Sequence, residues 1–363
     1  MNKHIIDQFL DKQLITTYNT KKLYRINIET FFKKIDKDID TYLQNNTYDD
    51  IEQDIRNVYL EFKKIGKPPL SIRTFFNSPK QFLISNDRKI RDLEIWDTLK
   101  NALKGAEAVS DELIPNQGDI KTVLQHSNAL SRAMFLMIAS SGRRIEEIIS
   151  LYPEDIDTTH NPTRVNIKKG YDPSKPDKIK LHTKTGKTLC FISDETTEAY
   201  LAWMKERDKY LAAAVKKMNL KPGKQKNPDD KRVFPMSTDN ARYIWKVLIK
   251  RAGLYERDNV TGRLTLHPHC LRKFFRSYLG DADLSEHLMG HASIGLVKLY
   301  RNMKLEDLAE KYKQFMHNVT VFETSPEVIK GIKNNLQEIT QENKDLKYEL
   351  ELMDIRLKLM EKK

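Results

Sequence analysis

His267–Leu279 reads HPHCLRKFFRSYL, and beyond the turn Gly280–Leu284 the chain runs from Glu286 to Tyr300 as EHLMGHASIGLVKLY. The stretch predicts two short helices that concentrate His269, Arg272, His291 and Tyr300 within 32 positions. Cations, imidazoles and one phenol so close together suit an anion whose charge changes during a reaction. Working outward, the question is what the rest of the chain must build around such a group.

The bulk properties narrow the partner. The chain has 363 residues, a formal net charge of +12 and a pI near 9.3. That length allows two or three domains, and the basic balance favours a polyanion, nucleic acid before membrane. Apolar residues are 39% and charged residues 31%, which leaves room for long solvated helix. Cys190 and Cys270 are the two cysteines, and neither belongs to a Cys-x-x-Cys pair. This argues against a disulfide framework and against a structural zinc site, and no metal or cofactor is expected. The N-terminal MNKHIIDQFLDKQ lacks the apolar core of a signal peptide, and the longest clean apolar run, Ala133–Ala139, is too short to cross a bilayer. A cytoplasmic protein without a membrane partner is expected.

Periodicity organises the chain as mainly α with a small β-hairpin or sheet. Residues 1–20 are polar and are expected to form a flexible arm. Residues 21–104 carry helical spacing, as in Ile26, Ile28, Phe31, Phe32 and Ile35, then Ile51, Ile55, Val58, Leu60 and Phe62. Pro68-Pro69 breaks that run, and Ser71 is the expected cap of the next helix. Lys33, Lys34, Lys37, Lys63, Lys64 and Lys67 recur along this unit, either as solvated faces or as a phosphate-tracking surface. Residues 105–118 read as a linker. From Asp119 one apolar helix is expected to Ser140, ended at Gly142, with Arg144 at the start of a second helix closed by Pro153. Strand character follows at Val165–Lys168 and Asp177–Ile192, where Thr185-Gly186 predicts a hairpin tip flanked by Lys184 and Lys187. Helices are expected at Thr196–Met218, Asn240–Ala252 and Leu305–His317.

Past Pro326 the spacing becomes regular. Ile329, Leu336, Asn343, Leu350 and Leu357 recur every seven residues, and Ile332, Ile339, Leu346, Met353 and Met360 follow three places later. Residues 326–363 are therefore expected to form a coiled coil, with Asn343 favouring a parallel pair in register.

Singly, Arg144, Lys184, His269, Arg272, His291 and Tyr300 each have an ordinary reading as surface or packing residues. Together, Gly-Arg-Arg-Ile-x-Glu at 142–147, His-x-x-Arg at 269–272, and Gly-His at 290–291 followed nine residues later by Tyr300 resemble the tyrosine recombinase (phage integrase) family. The resemblance covers about Asp119–Phe322 in detail. It implies a catalytic domain over 119–322 and a helical core-binding, DNA-clamping domain over 21–104. The coiled-coil tail leans the resemblance toward integrases of mobile elements, archaeal ones included.

The resemblance further implies duplex DNA as substrate and Tyr300 as nucleophile. Arg144 and Arg272 would hold the non-bridging oxygens with forked hydrogen bonds. Lys184 would protonate the leaving 5′-oxygen, with Lys187 as the alternative general acid. His269 would assist proton transfer or donate to a phosphate oxygen, His291 would hydrogen-bond the phosphate, and Glu147 would support the site. The family has an aliphatic residue where Arg143 stands, and the residue preceding Ile145 fits best, which is Arg144. Cys270 and Lys273 also depart from the usual acidic residue and histidine. A DNA-assembled tetramer is implied, with the C-terminal segment exchanged between subunits, so 302–322 are expected to pack on a neighbour. A type IB topoisomerase-like enzyme and an inactive DNA-binding coiled-coil scaffold are the alternatives.

Overall fold

The structure, a computed structural model, describes residues 3–13, 18–105, 112–167, 188–218, 226–259, 261–290 and 303–322. Lys184, Lys187, His291, Tyr300, the hairpin tip and the 326–363 tail lie outside the described residues. The chain divides into two compact units, Met1–Asp111 with Arg257–Arg263, and Glu112–Glu256 with Leu264–Lys363. Among the described residues it is mainly helical, with one small antiparallel sheet. No helix among them is long and apolar enough to cross a membrane.

The first unit is built from helices α1 (Lys3–Lys12), α2 (Tyr18–Ile35), α3 (Tyr42–Asn45), α4 (Tyr48–Lys64), α5 (Pro69–Asn86) and α6 (Ile95–Ala102). Here the expected N-terminal arm is corrected. Ile6, Phe9 and Leu10 share one helical face and are buried in this unit's core, with the Phe9 ring edge-on to Phe82 at 5.4 Å. Each such side chain contributes about 1.5–3 kcal/mol on burial, enough to order a polar-looking helix. The cap of α5 is also corrected, because Pro68 precedes the helix and Pro69 occupies its first position, where a missing N–H costs nothing. The lysines divide. Lys34 pairs with Glu61, Lys37 lies 2.8 Å from Asp54, and Lys67 sits 3.8 Å from the centre of the Phe62 ring. Lys33, Lys63 and Lys64 are exposed.

The second unit starts earlier than the expected 119, since the backbone N–H of Leu113 donates to the Thr265 carbonyl at 2.9 Å. Its helices are α7 (Gln117–Gln125), α8 (Ala129–Ser141), α9 (Ile145–Ile149), α10 (Asp194–Met218), α11 (Thr238–Arg251), α12 (Pro268–Tyr278), α13 (Ala282–Leu288) and α14 (Leu305–Phe315). The single helix expected over 119–140 is two helices. Asn128 accepts the Ser131 N–H at 3.0 Å, while Ser131 accepts the Asn128 N–H, and this capping box restarts the chain as α8. Helix α8 is buried on nearly every side and packs against α10 and α12. Strands β1 (Ile156–Asp157), β2 (Arg164–Ile167) and β3 (Thr188–Phe191) form a sheet in that order, with Val165 opposite Cys190 and Ile167 opposite Thr188.

Within the single chain the C-terminal described segment packs on its own unit. Leu308, Ala309 and Tyr312 are buried in the same core as α8. The Tyr312 hydroxyl donates to the Ser140 carbonyl at 2.8 Å, and the Glu195 carboxylate accepts the N–H groups of Val321 and Phe322 at 2.6 and 2.8 Å. Those polar links fasten the segment to the core of the single chain.

Candidate active site

Gly142 ends α8 in the left-handed conformation, φ +63°. A Cβ there would collide with the Phe275 ring and stand 2.8 Å from Met289 Cγ, so only glycine lets this turn press onto α12 and α13. The next two residues are arginines with opposite fates.

Arg143 is buried. Its guanidinium donates to the Leu189 carbonyl on β3 at 2.8 Å and to the Met289 carbonyl after α13 at 3.4 Å. It braces sheet to helix. Arg144 is the N-cap of α9 with an exposed side chain. Its backbone N–H donates to Glu147 Oε2 at 2.8 Å, and its guanidinium lies 3.6 Å from Glu147 Oε1. Glu147 therefore fixes both the start of α9 and the reach of Arg144.

Arg272, on the second turn of α12, is buried. It donates to the Gly142 carbonyl and, through both terminal nitrogens, to the Met289 carbonyl at 3.3 and 3.2 Å. Burial pushes its pKa down to about 10, and the nearby positive charge of Arg144 pushes the same way, while Glu147 and Glu286 oppose them. It stays charged at neutral pH, with two like charges held close. His269, three residues before Arg272, is exposed, and its ring lies 6.3 Å from that of His267. Partial desolvation, then Arg272 and His267, hold its pKa below the usual imidazole value.

Of the residues singled out from sequence, the structure thus brings Arg144, Glu147 and Arg272 to one turn, and His269 lies one helical turn before Arg272 on α12. His291 follows two residues after Met289 in sequence, and with Tyr300, Lys184 and Lys187 it lies outside the described residues. Sequence reasoning missed the bracing role of Arg143, and also Glu112, which pairs with Lys273 at 2.5 Å and lies 3.4 Å from His267. No local spacing signals Glu112, because its partners stand far along the chain on α12.

The phage integrase family model matches residues 116–306, and the chain belongs to that family. Among curated relatives, the tyrosine recombinase XerC of Proteus mirabilis is 24% identical over 277 residues, covering 72% of this chain and 76% of that one. The tyrosine recombinase XerD of Listeria innocua serovar 6a is 23% identical over 338 residues, covering 86% and 98%. Two solved structures share the fold. The Tn1549 transposon integrase in complex with transposon right end DNA has a TM-score of 0.53 at 16% identity, covering 86% of this chain and 98% of that chain. The lambda integrase tetramer bound to a Holliday junction has a TM-score of 0.52 at 13% identity, covering 84% and 79%.

Proposed function

We propose that this chain is a site-specific DNA recombinase that cuts and rejoins duplex DNA through a 3′-phosphotyrosine on Tyr300. The observation that carries the reading is the convergence of Arg144 and Arg272 on the turn that Gly142 makes possible, in a member of the phage integrase family. The Tyr300 oxygen attacks phosphorus, the bond from phosphorus to the 5′-oxygen breaks, and Lys184 delivers a proton to that oxygen, with Lys187 in reserve. Arg144 and Arg272 stabilise the charge that builds on the non-bridging oxygens, an effect worth about 3–4 kcal/mol per well-placed donor. His291 adds a hydrogen bond to the phosphate, and His269 assists proton transfer. The covalent intermediate conserves the phosphoryl bond, so resealing needs no ATP.

The relatives named above are recombinases, and the two like folds are seen on transposon-end DNA and on a Holliday junction. By analogy duplex DNA is the partner, a tetramer on DNA is the working assembly, and the first unit clamps the duplex. A cleft of about 600 Å³ in that unit supports the clamp, since Arg73, Lys80, Lys100 and Lys104 line it with Trp96. Lysines beside an aromatic face suit a phosphate backbone. Residues 326–363 are proposed to self-associate as a coiled coil.

The deciding experiment uses a nicked suicide DNA duplex carrying a candidate target site. A covalent protein–DNA adduct that vanishes in Tyr300→Phe supports the reading. An adduct that persists in that variant assigns the nucleophile elsewhere.

A further inference from the structure

We infer that Glu112, His267 and Cys270 form a zinc-binding site at the first turn of α12, beside the proposed phosphate site and independent of the DNA-cleavage reading. One ligand atom from each residue lies within 4.8 Å of the other two. Glu112 Oε1 and His267 Nε2 stand 3.4 Å apart. With zinc bonds of about 2.0–2.1 Å to nitrogen and oxygen, the edge of a tetrahedral site is about 3.3 Å, so this pair already has a ligand spacing. The sulfur lies within 4.8 Å of both, so it needs to approach by no more than about 1.3 Å to reach its own edge of about 3.5 Å.

The backbone places these residues for reasons unrelated to a metal. The Leu113 N–H donates to the Thr265 carbonyl at 2.9 Å, which lays Glu112 against the entry to α12. His267 is the N-cap, and its own N–H donates to Cys270 Sγ at 3.4 Å. Cys270 is fully buried and its thiol donates to the Thr265 carbonyl, so the sulfur has a fixed direction. Lys273 occupies the other carboxylate oxygen, Glu112 Oε2, at 2.5 Å. That contact orients the carboxylate as outer partners of metal ligands do, and it leaves Oε1 facing His267. The positive Lys273 and the helix N-terminus both oppose a cation, which limits affinity without removing the ligand set. A mixed sulfur, nitrogen and oxygen trio suits zinc, with water completing the tetrahedron. Binding releases the thiol proton and makes one Zn–S, one Zn–N and one Zn–O bond, with no change of oxidation state. The metal would tie the start of the second unit to the helix that carries His269 and Arg272.

The test uses the full chain without a histidine tag, titrated separately with zinc and with cobalt(II). One equivalent of zinc is expected to bind saturably, and cobalt is expected to give a thiolate charge-transfer band. Cys270→Ser should abolish the band and weaken zinc by ~100-fold or more, since even outer-partner changes cost about 10–100-fold. Cys190→Ser should keep both, because Cys190 lies on β3. Glu112→Gln is a second ligand variant, and circular dichroism confirms that each variant folds. A folded Cys270→Ser protein that retains wild-type zinc affinity, or a wild-type protein with no saturable binding, overturns the site.

Discussion

The Arg272 guanidinium donates to the Gly142 carbonyl, which locks the second turn of α12 onto the turn that aims Arg144. One hydrogen bond thus ties together two cations that stand far apart in sequence. The same guanidinium and that of Arg143 share the Met289 carbonyl. Three segments are fixed by two buried arginines, and a third arginine is left exposed.

Gly142→Ala tests the close approach. The left-handed conformation costs roughly 1 kcal/mol for a residue with a Cβ, and overpacking against Phe275 and Met289 adds about 1–3 kcal/mol. Urea unfolding should show a loss of about 2–4 kcal/mol. A loss below about 1 kcal/mol would mean that the turn relaxes without penalty.

The two neighbouring arginines should separate stability from activity. Arg143→Met keeps volume but removes the donor to the Leu189 carbonyl, while the Met289 carbonyl keeps its bonds from Arg272, so a loss of about 1–3 kcal/mol is expected for the one buried group deprived of its partner. Arg144→Met alters an exposed side chain whose ion pair with Glu147 is loose, so stability should change by no more than about 0.5 kcal/mol. Adduct formation by that variant should nevertheless fall ~10²–10³-fold. The reverse pattern would assign Arg143 to the phosphate.

Several of these relationships were legible in the chain and several were not. Arg144, Glu147, His269 and Arg272 were singled out by their spacing and its resemblance to the phage integrase family, and the structure places them on the opening turns of α9 and α12. The burial of Arg143 does not, since only the Leu189 and Met289 carbonyls decide which of two adjacent arginines turns inward. The apolar run Ala133–Ala139 announced a buried helix, but its start depended on the reciprocal Asn128–Ser131 cap rather than on hydrophobicity. Helix α1 was hidden for the opposite reason. Its Asp and Lys residues equal its apolar residues in number, and the buried Ile6, Phe9 and Leu10 reveal themselves only by spacing.

Glu195 should give stability a distinctive pH dependence. Burial raises its carboxyl above the usual 4.5, with Glu198 adding to the shift and the Val321 and Phe322 N–H groups opposing it. A raised carboxyl binds its proton more tightly in the folded state, so its contribution is complete below about 4.5 and is lost as pH rises through the folded value. Glu195→Gln has no proton to lose there. Relative to wild type, the stability of that variant should therefore rise with pH through this window. Urea unfolding at intervals from acid to neutral pH measures it, and a flat difference would show that burial does not control this carboxyl.

The proposed general acid can be tested without any structural view of Lys184. A DNA substrate with sulfur in place of the bridging 5′-oxygen has a leaving group that departs without a proton. Lys184→Ala should be severely slowed on normal DNA, within the ~10²–10⁴-fold range of general acid catalysis, and restored on the sulfur substrate. Arg144→Met should remain slow on both, because its work is on the non-bridging oxygens. If Lys187→Ala is the variant that sulfur rescues, the acid is Lys187.

The tail offers the last test. Residues 303–322 are fastened to their own unit through Tyr312, Glu195 and the Gln117 side chain, which donates to the His317, Asn318 and Thr320 carbonyls. The heptad spacing that starts beyond Phe322 is proposed to supply the link between subunits. A chain ending at Ser325 keeps all these buried contacts and should melt like the full chain. It should sediment as a monomer where the full chain self-associates, and it should bind one DNA site normally while losing synapsis of two. Asn343→Leu should keep association but relax its stoichiometry, since the buried amide is what favours a parallel pair. If the shortened chain associates and pairs DNA sites like the full one, assembly rests on surfaces before Phe322 and the heptads serve another purpose.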